Sequence, residues 1–235
     1  MSKSEVLAGS GLGGVIGMHQ VTFRLRETVV NPWTSKLRGD PAVVAPRRVL
    51  IYGAPGCGVS YIANLLTSEL GSLGCDAVAA HDLDEVADSD TAELEELLRG
   101  GATQDVVIVG ATRRPWTMPD AAFGPGGFER AVFVPPPDWD ARRFRIWETL
   151  TRLGEPASLV EPLVIATEGW SGRDIETELA RPLDWSDEAG LISALEHITP
   201  ASRGWLESAR LLTRFGAISR LADDLAAYLQ RYRLL

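Results

Sequence analysis

A chain of 235 residues with 45% apolar side chains can bury one substantial core, or one core and a small satellite domain, and is neither disordered nor fibrous. Its 32 acidic against 23 basic residues give a formal net charge of −9, which argues against nonspecific attraction to nucleic acid or to an anionic membrane. No apolar run approaches the ~20 residues of a membrane span, and the opening MSKSEVLAGSGLGG has neither a signal-type apolar core nor an Arg-rich amphipathic pattern, so a cytoplasmic protein is expected.

Residues 1–14 are rich in Gly and Ser and are expected to be flexible. Residues 15–30 read as a short helix with Val21, Leu25 and Val29 on one face and Pro32 closing it. A polar, Pro-containing connection leads to residues 47–70, RRVLIYGAPGCGVSYIANLLTSEL, around which the rest is arranged. Val49 to Tyr52 is an uninterrupted apolar run, the pattern of a parallel strand covered on both faces. Ile62, Leu65, Leu66 and Leu70 recur at helical spacing, so one face of the following helix packs back on the sheet. Between them, GAPGCGVS fits the phosphate-loop pattern G-x-x-x-x-G-K-[ST] at Gly53, Gly58 and Ser60, with Val59 where the Lys belongs. A ligand-free turn can be equally glycine-rich; the spacing and the flanking strand and helix raise the case for phosphate binding. Cys57, inside the loop, reads as a small filler; it and Cys75 are too few for a disulfide framework and lack metal-ligand spacing.

Residues 76–83 read as a weak strand with an acidic exit, followed by a helix opened by Asp90 with Glu93 three residues later and closed by Gly100-Gly101. Residues 106–109 form the second clear buried strand, running into GATRRP, and residues 131–134 the third, ended by PPPD. Strands alternating with helices predict an α/β fold with a parallel, doubly wound sheet whose carboxyl-end loops line any ligand site. From Asp140 onward the pattern is helical throughout. Phe144, Trp147 and Leu150 share a stripe, Ser171 with Asp174 caps a second helix, and Leu191, Ile192, Leu195 and Ile198 face one way in a third. Thr199-Pro200 opens a fourth, stopped by Gly216, and Leu221, Leu225, Tyr228, Leu229 and Tyr232 mark the last. Arg142, Arg143 and Arg145 read as a solvated helix face, and the tryptophans as packing residues.

Four ordered blocks resemble the classical AAA clade of ATPases. RRVLIYGAPGCGVS is similar to that clade's RGVLLYGPPGTGKT. GATRRPWTMPDAAFGPGGFERAVFVPPPD is similar to its GATNRP, RPGRFDR and V-P-x-P-D segment. TEGWSGRDIE resembles its T-x-G-F-S-G-A-D-[IL] lid motif, and VIGMHQVTFRLRETVVNP the linker and first helix before the core. The resemblance implies a P-loop (AAA+) core over residues 15–139 and a small α-helical lid domain over 140–235. It also implies an oligomer of AAA-type subunits, homomeric or mixed, in which neighbours complete each other's sites. ATP with magnesium is the implied ligand. Its implied contacts are Gly53, Pro55, Gly56, Cys57, Gly58, Val59, Ser60 and Tyr61 of the loop, Ile16 and Gly17 of the linker, and Gly172 of the lid, with Ser60 also approaching the metal.

The departures fall on catalytic positions. Val59 replaces the phosphate-binding Lys, Arg113 stands at the sensor Asn, and Gly127 replaces the first finger Arg while Arg130 matches the second. Ser60 and Gly110 are only 50 residues apart, about half the clade's usual span, so one strand-helix unit and its acidic strand are expected to be missing. Asp84-Glu85 is the nearest substitute, with Glu85 the candidate base, although serving as that strand would bury His81 and Asp82. Arg173, where the clade has Ala, is a candidate replacement for the missing Lys charge. These residues imply a nucleotide-binding subunit with eroded catalysis, acting as a regulatory or structural member of an oligomer. An active ATPase using Ser60, Asp84-Glu85, Arg173 and residues of a partner subunit, and an AAA-shaped scaffold that binds no nucleotide, are the alternatives.

Overall fold

The computed structural model describes residues 11–89, 91–103, 106–215 and 219–231. Its centre is β1 (Arg48–Gly53), where Val49, Leu50 and Ile51 are wholly buried. β1 pairs in parallel with β3 (Val107–Thr112) on one side and β4 (Arg130–Val134) on the other. The short β2 (Ala77–Ala80) joins the far edge of β3, so the order is β2-β3-β1-β4 among the described residues. The chain leaves the sheet first from an inner strand, and the carboxyl end of such a strand is where open parallel sheets bind ligands.

α3 (Val59–Ser72) follows the loop and buries Ile62, Ala63, Leu65, Leu66 and Leu70, the face its spacing predicted. Burial of a Leu or Ile side chain is worth about 1.5–3 kcal/mol, so this stripe fixes the helix and the loop before it. The weak strand expected over residues 76–83 is β2, and it stands at the sheet's edge. The acidic stretch after it is helical: α4 (Leu83–Ser89) precedes α5 (Thr91–Thr103), which runs through Gly100-Gly101 instead of ending there. The buried Leu94 and Leu98 anchor α5 strongly enough to outweigh the cost of about 1 kcal/mol per glycine. Asp90, expected to cap it, lies outside the described residues.

The amino-terminal segment departs from expectation twice. Residues 11–14, expected to be loose, form a tight turn in which Leu12 is buried and its N–H donates to Glu69 Oε2 at 2.6 Å. The first helix does not stop at Pro32: α1 (His19–Leu25) continues through a wide π turn (Arg26–Val30) into α2 (Asn31–Leu37). In that turn the Asn31 N–H donates to Arg26 O, so the backbone has already widened where a proline ring otherwise clashes with the preceding turn. Val21, Leu25 and Val29 are buried together, as their spacing predicted.

The helices after the sheet divide between two cores. α6 (Trp139–Leu153), α7 (Val160–Ala166), α8 (Gly172–Leu179) and α9 (Glu188–Glu196) enclose Ile146, Leu150, Leu163, Trp170, Ile175 and Leu179. α10 (Ala201–Phe215) and α11 (Ser219–Arg231) instead return to the sheet, bringing Trp205, Leu206, Leu225 and Leu229 into its core. The Trp205 ring stacks on Phe133 of β4 with centroids 5.8 Å apart, and Tyr228 meets Phe133 edge-on at 5.5 Å. The stretch expected as one lid over 140–235 is therefore split. Gly216 and Tyr232 lie outside the described residues, as does the side chain of Leu221.

On α6 the buried face is Arg142, Ile146, Thr149 and Leu150, so the stripe of Phe144, Trp147 and Leu150 holds only at Leu150. Arg142, expected on a solvated face, is buried, donating to Pro137 O at 2.8 Å and Val164 O at 3.5 Å. Of the tryptophans, Trp205 and Trp116 pack together, whereas Trp139 and Trp147 are almost half exposed. No helix among the described residues is long and apolar enough to cross a membrane.

Candidate functional site

The loop leaves the buried end of β1 and turns into α3 at Gly58, whose φ is 91°. Cys57 N–H donates to Ala54 O at 3.1 Å, closing the turn. Burial, and secondarily the negative charge of Asp174, push the Cys57 thiol up to about 12, so it is a neutral packing group at physiological pH. Val59 is also buried, with a methyl lying over Gly53, while Ser60 stands exposed on the first turn of α3. The first backbone N–H groups of a helix have no intrahelical partners, so this turn offers donors even without a lysine.

The loop and the helical unit are joined directly. Gly172 N–H, at the start of α8, donates to Gly56 O at 3.1 Å. A capping box stands beside this bond: Asp174 N–H donates to Ser171 Oγ at 3.1 Å, and Ser171 N–H to Asp174 Oδ2 at 2.9 Å. Gly56 has φ +81°, and a Cβ there would stand 2.6 Å from both Ser171 Oγ and Arg173 Cβ. Only glycine allows this approach.

A cavity of about 460 Å³ opens between the linker, the loop, α3, α6 and α8. It brings together Ile16, Gly56, Cys57, Gly58, Tyr61 and Gly172, six of the expected ligand residues, with apolar walls from Val15, Met18, Ile62 and Phe144. Gly17 lies against the start of α6, where a Cβ would come 2.4 Å from Asp138 Oδ1, the carboxylate that caps that helix. Phe144, one of the two members of the mistaken stripe that face away from the helical core, is thereby a wall residue, and Arg145 at the rim pairs with Glu148 at 3.2 Å and Glu176 at 3.0 Å. Trp170 of the lid motif sits in the helical core and does not line this cavity.

Pro55 faces a different cavity, shared with Asp84, Glu85, Arg113 and Arg114. Here the acidic exit of β2 meets the residues that follow β3. Arg113 Nη2 lies 2.8 Å from Glu85 Oε1, 2.9 Å from Asp82 Oδ1 and 3.8 Å from Asp84 Oδ2. Arg114 Nε donates to Asp84 Oδ2 at 3.2 Å, while the Thr112 hydroxyl and Arg113 N–H donate to Asp84 Oδ1. Glu85, the candidate base, is thus held in an ion pair. The sequence offers Asp84-Glu85 as a substitute for the acidic strand, but not the pairing of Asp84 with the residues after β3; the opposite charges of DLDE and TRRP at neighbouring strand ends were the available signal.

Burial alone would raise the Asp84 carboxyl, but the Arg113 N–H, the Arg114 guanidinium, its own N–H and the Thr112 hydroxyl outweigh it and hold it below the ordinary 3.8. A carboxyl whose folded value is depressed contributes stability that is complete above its ordinary value and lost as the pH falls through the lower folded one. Asp84→Asn is therefore expected to cost about 2 kcal/mol at neutral pH, the low end for charged partners because both arginines are partly exposed. Urea melts at neutral pH and below pH ~4 check it, since the cost should shrink on the acid side.

The remaining expected residues are not brought to one place. Arg173 is exposed at the start of α8, its Cβ beside Gly56, within the loop's neighbourhood. Arg130 opens β4 opposite Val49, at the amino end of the sheet and away from the loop, and donates to Glu129 O at 2.8 Å. For magnesium, Ser60 is the one loop hydroxyl available, whereas the carboxylates of the acidic exit are held by Arg113 and Arg114. Among the described residues, no group of three His, Cys, Asp or Glu side chains is placed to hold a metal ion. The donor set does not fit a divalent cation.

No family model matches the chain. It is 38% identical over 110 residues to the Cell division cycle protein 48 homolog of Archaeoglobus fulgidus, a stretch covering 46% of this chain and 13% of that protein. To the proteasome-activating nucleotidase of Pyrococcus abyssi it is 26% identical over 232 residues, covering 78% of this chain and 56% of that one. The chain thus spans between 13% and 56% of these relatives' own length. Among solved structures, the FIGL-1 AAA domain in complex with ADP superposes with a TM-score of 0.60 at 21% identity, covering 94% of this chain and 90% of that chain. The parallel sheet and the glycine-rich loop joined to a helical unit match the AAA+ P-loop fold of that solved domain, and the chain is similar in sequence to the two nucleotidase and division-cycle relatives over the stretches given.

Proposed function

We propose that this chain binds ATP in the cavity between linker, loop and helical unit, and serves as a weakly or non-hydrolysing regulatory subunit of an AAA-type oligomer. The observation that carries the reading is the bond from Gly172 N–H to Gly56 O, which sets the loop's backbone donors and an apolar cavity side by side. Backbone N–H groups at the start of α3 would hold phosphate, Ile16, Tyr61 and Phe144 would enclose the base, and Arg173 would supply a cation at the loop.

Eroded catalysis is supported by two features of the same region. Val59 offers no charge, and the loss of one charge-assisted hydrogen bond weakens phosphate binding by about one to two powers of ten. Glu85 is paired with Arg113 and is not poised to orient water. The position of Arg130 at the amino end of the edge strand β4, far from this chain's own loop, is consistent with a role at a neighbouring subunit.

Equilibrium titration of the chain with a fluorescent ATP analogue, together with a phosphate-release assay, tests the reading. Saturable binding without turnover is expected. Absence of binding up to millimolar analogue would leave a scaffold that uses the AAA shape for contacts alone, and turnover abolished by Glu85→Gln would make it an active ATPase.

A further inference from the structure

We infer that the acidic exit beside the loop is closed to divalent cations by Arg113 and Arg114, so that nucleotide binding by this chain is independent of magnesium. The second half rests on the nucleotide-binding reading above; the first does not.

Asp84 and Glu85 line the cavity beside Pro55, Asp82 lies just before them, and every one of the three lies within 4 Å of a guanidinium nitrogen. Asp84 is almost wholly buried and its two oxygens are taken by Thr112, Arg113 and Arg114. Magnesium takes oxygen ligands in a near-ideal octahedron and is bound through one or two carboxylates with waters, and here both oxygens of the buried Asp84 and one oxygen each of Asp82 and Glu85 already face a donor. It would also stand against the two guanidinium charges already paired with these carboxylates.

Arg113 is fixed as well as charged. Its carbonyl accepts a hydrogen bond from the Trp205 indole of α10, and Trp205 is itself stacked on Phe133. The guanidinium therefore starts from a backbone position held by the aromatic core. Its Nε is buried and has no hydrogen-bond partner. An unpartnered donor calls for an acceptor, such as water or an anion, and not for a second cation.

Two measurements on the full chain decide the matter. Calorimetric titration with ATP is run in millimolar magnesium and again in excess EDTA; the two affinities are expected to agree within about threefold. Separately, manganese without nucleotide is titrated into the protein and free ion is read by electron paramagnetic resonance. The natural chain is expected to leave the signal at full amplitude, and Arg113→Gln, checked for folding by circular dichroism, to reduce it. An affinity that falls about tenfold or more in EDTA overturns the inference, as does stoichiometric manganese uptake by the natural chain. If ATP binds in neither buffer, the nucleotide reading fails, and manganese alone decides whether the acidic exit is closed. If Arg113→Gln does not fold, the signal with the natural chain still decides it.

Discussion

Alanine in place of Gly56 is expected to lower nucleotide affinity by tenfold or more and to cost about 2–4 kcal/mol of stability, adding left-handed strain to an overpacked contact. The residue has φ +81°, where a side chain costs roughly 1–2 kcal/mol. The new methyl would also stand 2.6 Å from Ser171 Oγ and Arg173 Cβ, so the start of α8 must retreat from the loop. That retreat breaks the bond from Gly172 N–H to Gly56 O and loosens the wall that Gly172 gives the cavity. Gly58→Ala is the matched control, because Gly58 has φ +91° but a Cβ there meets nothing within 4 Å. In the ligand-free stability measurement it should show the backbone strain without the clash at α8. Urea midpoints and analogue titrations of the two variants separate strain from docking; equal losses in both would mean that contact between the helical unit and the loop contributes nothing to binding.

The sheet and loop were legible because their signals are local. An apolar run with no polar break, as in residues 49–52, admits few structures besides a doubly covered strand, and Ile62, Leu65, Leu66 and Leu70 leave α3 one way to face. The edge position of β2 followed from its weak apolar character and the cost of burying His81 and Asp82. What escaped the sequence depends on partners distant along the chain. Phe144, Trp147 and Leu150 fit a helical stripe as well as Ile146 and Leu150 do, and the choice is made by α7 and α8 packing over Ile146 and by carbonyls that satisfy the buried Arg142. The return of α10 and α11 to the sheet rests on Trp205 and Tyr228 meeting Phe133. The ion pairs of Asp82, Asp84 and Glu85 with Arg113 and Arg114 span two strand ends that only the pairing of β2 with β3 brings together. Of the candidate site, the glycine loop and the lid motif were readable as motifs, whereas the state of the candidate base was not.

Lysine in place of Val59 is expected to raise ATP affinity by about ten- to a hundredfold without restoring hydrolysis, since one charge-assisted hydrogen bond to phosphate is worth about 1.5–3 kcal/mol. Val59 is buried with a methyl over Gly53, so the free variant should lose about 1–3 kcal/mol through overpacking and the cost of keeping the ammonium solvated. The long stem can carry that charge toward the open side of the loop, and bound phosphate would then recover much of the loss. The variant should therefore melt below the natural chain without ligand and gain more in Tm when ATP is added. Turnover should stay absent because Glu85 remains paired with Arg113 at 2.8 Å, whatever stands at position 59. Competitive binding, thermal melts and phosphate release on Val59→Lys, and on Val59→Lys with Arg113→Asn, separate the two functions. Unchanged affinity in the single variant would show that the loop does not cradle phosphate. Turnover in the single variant would show that the arginine pair does not hold the base out of action.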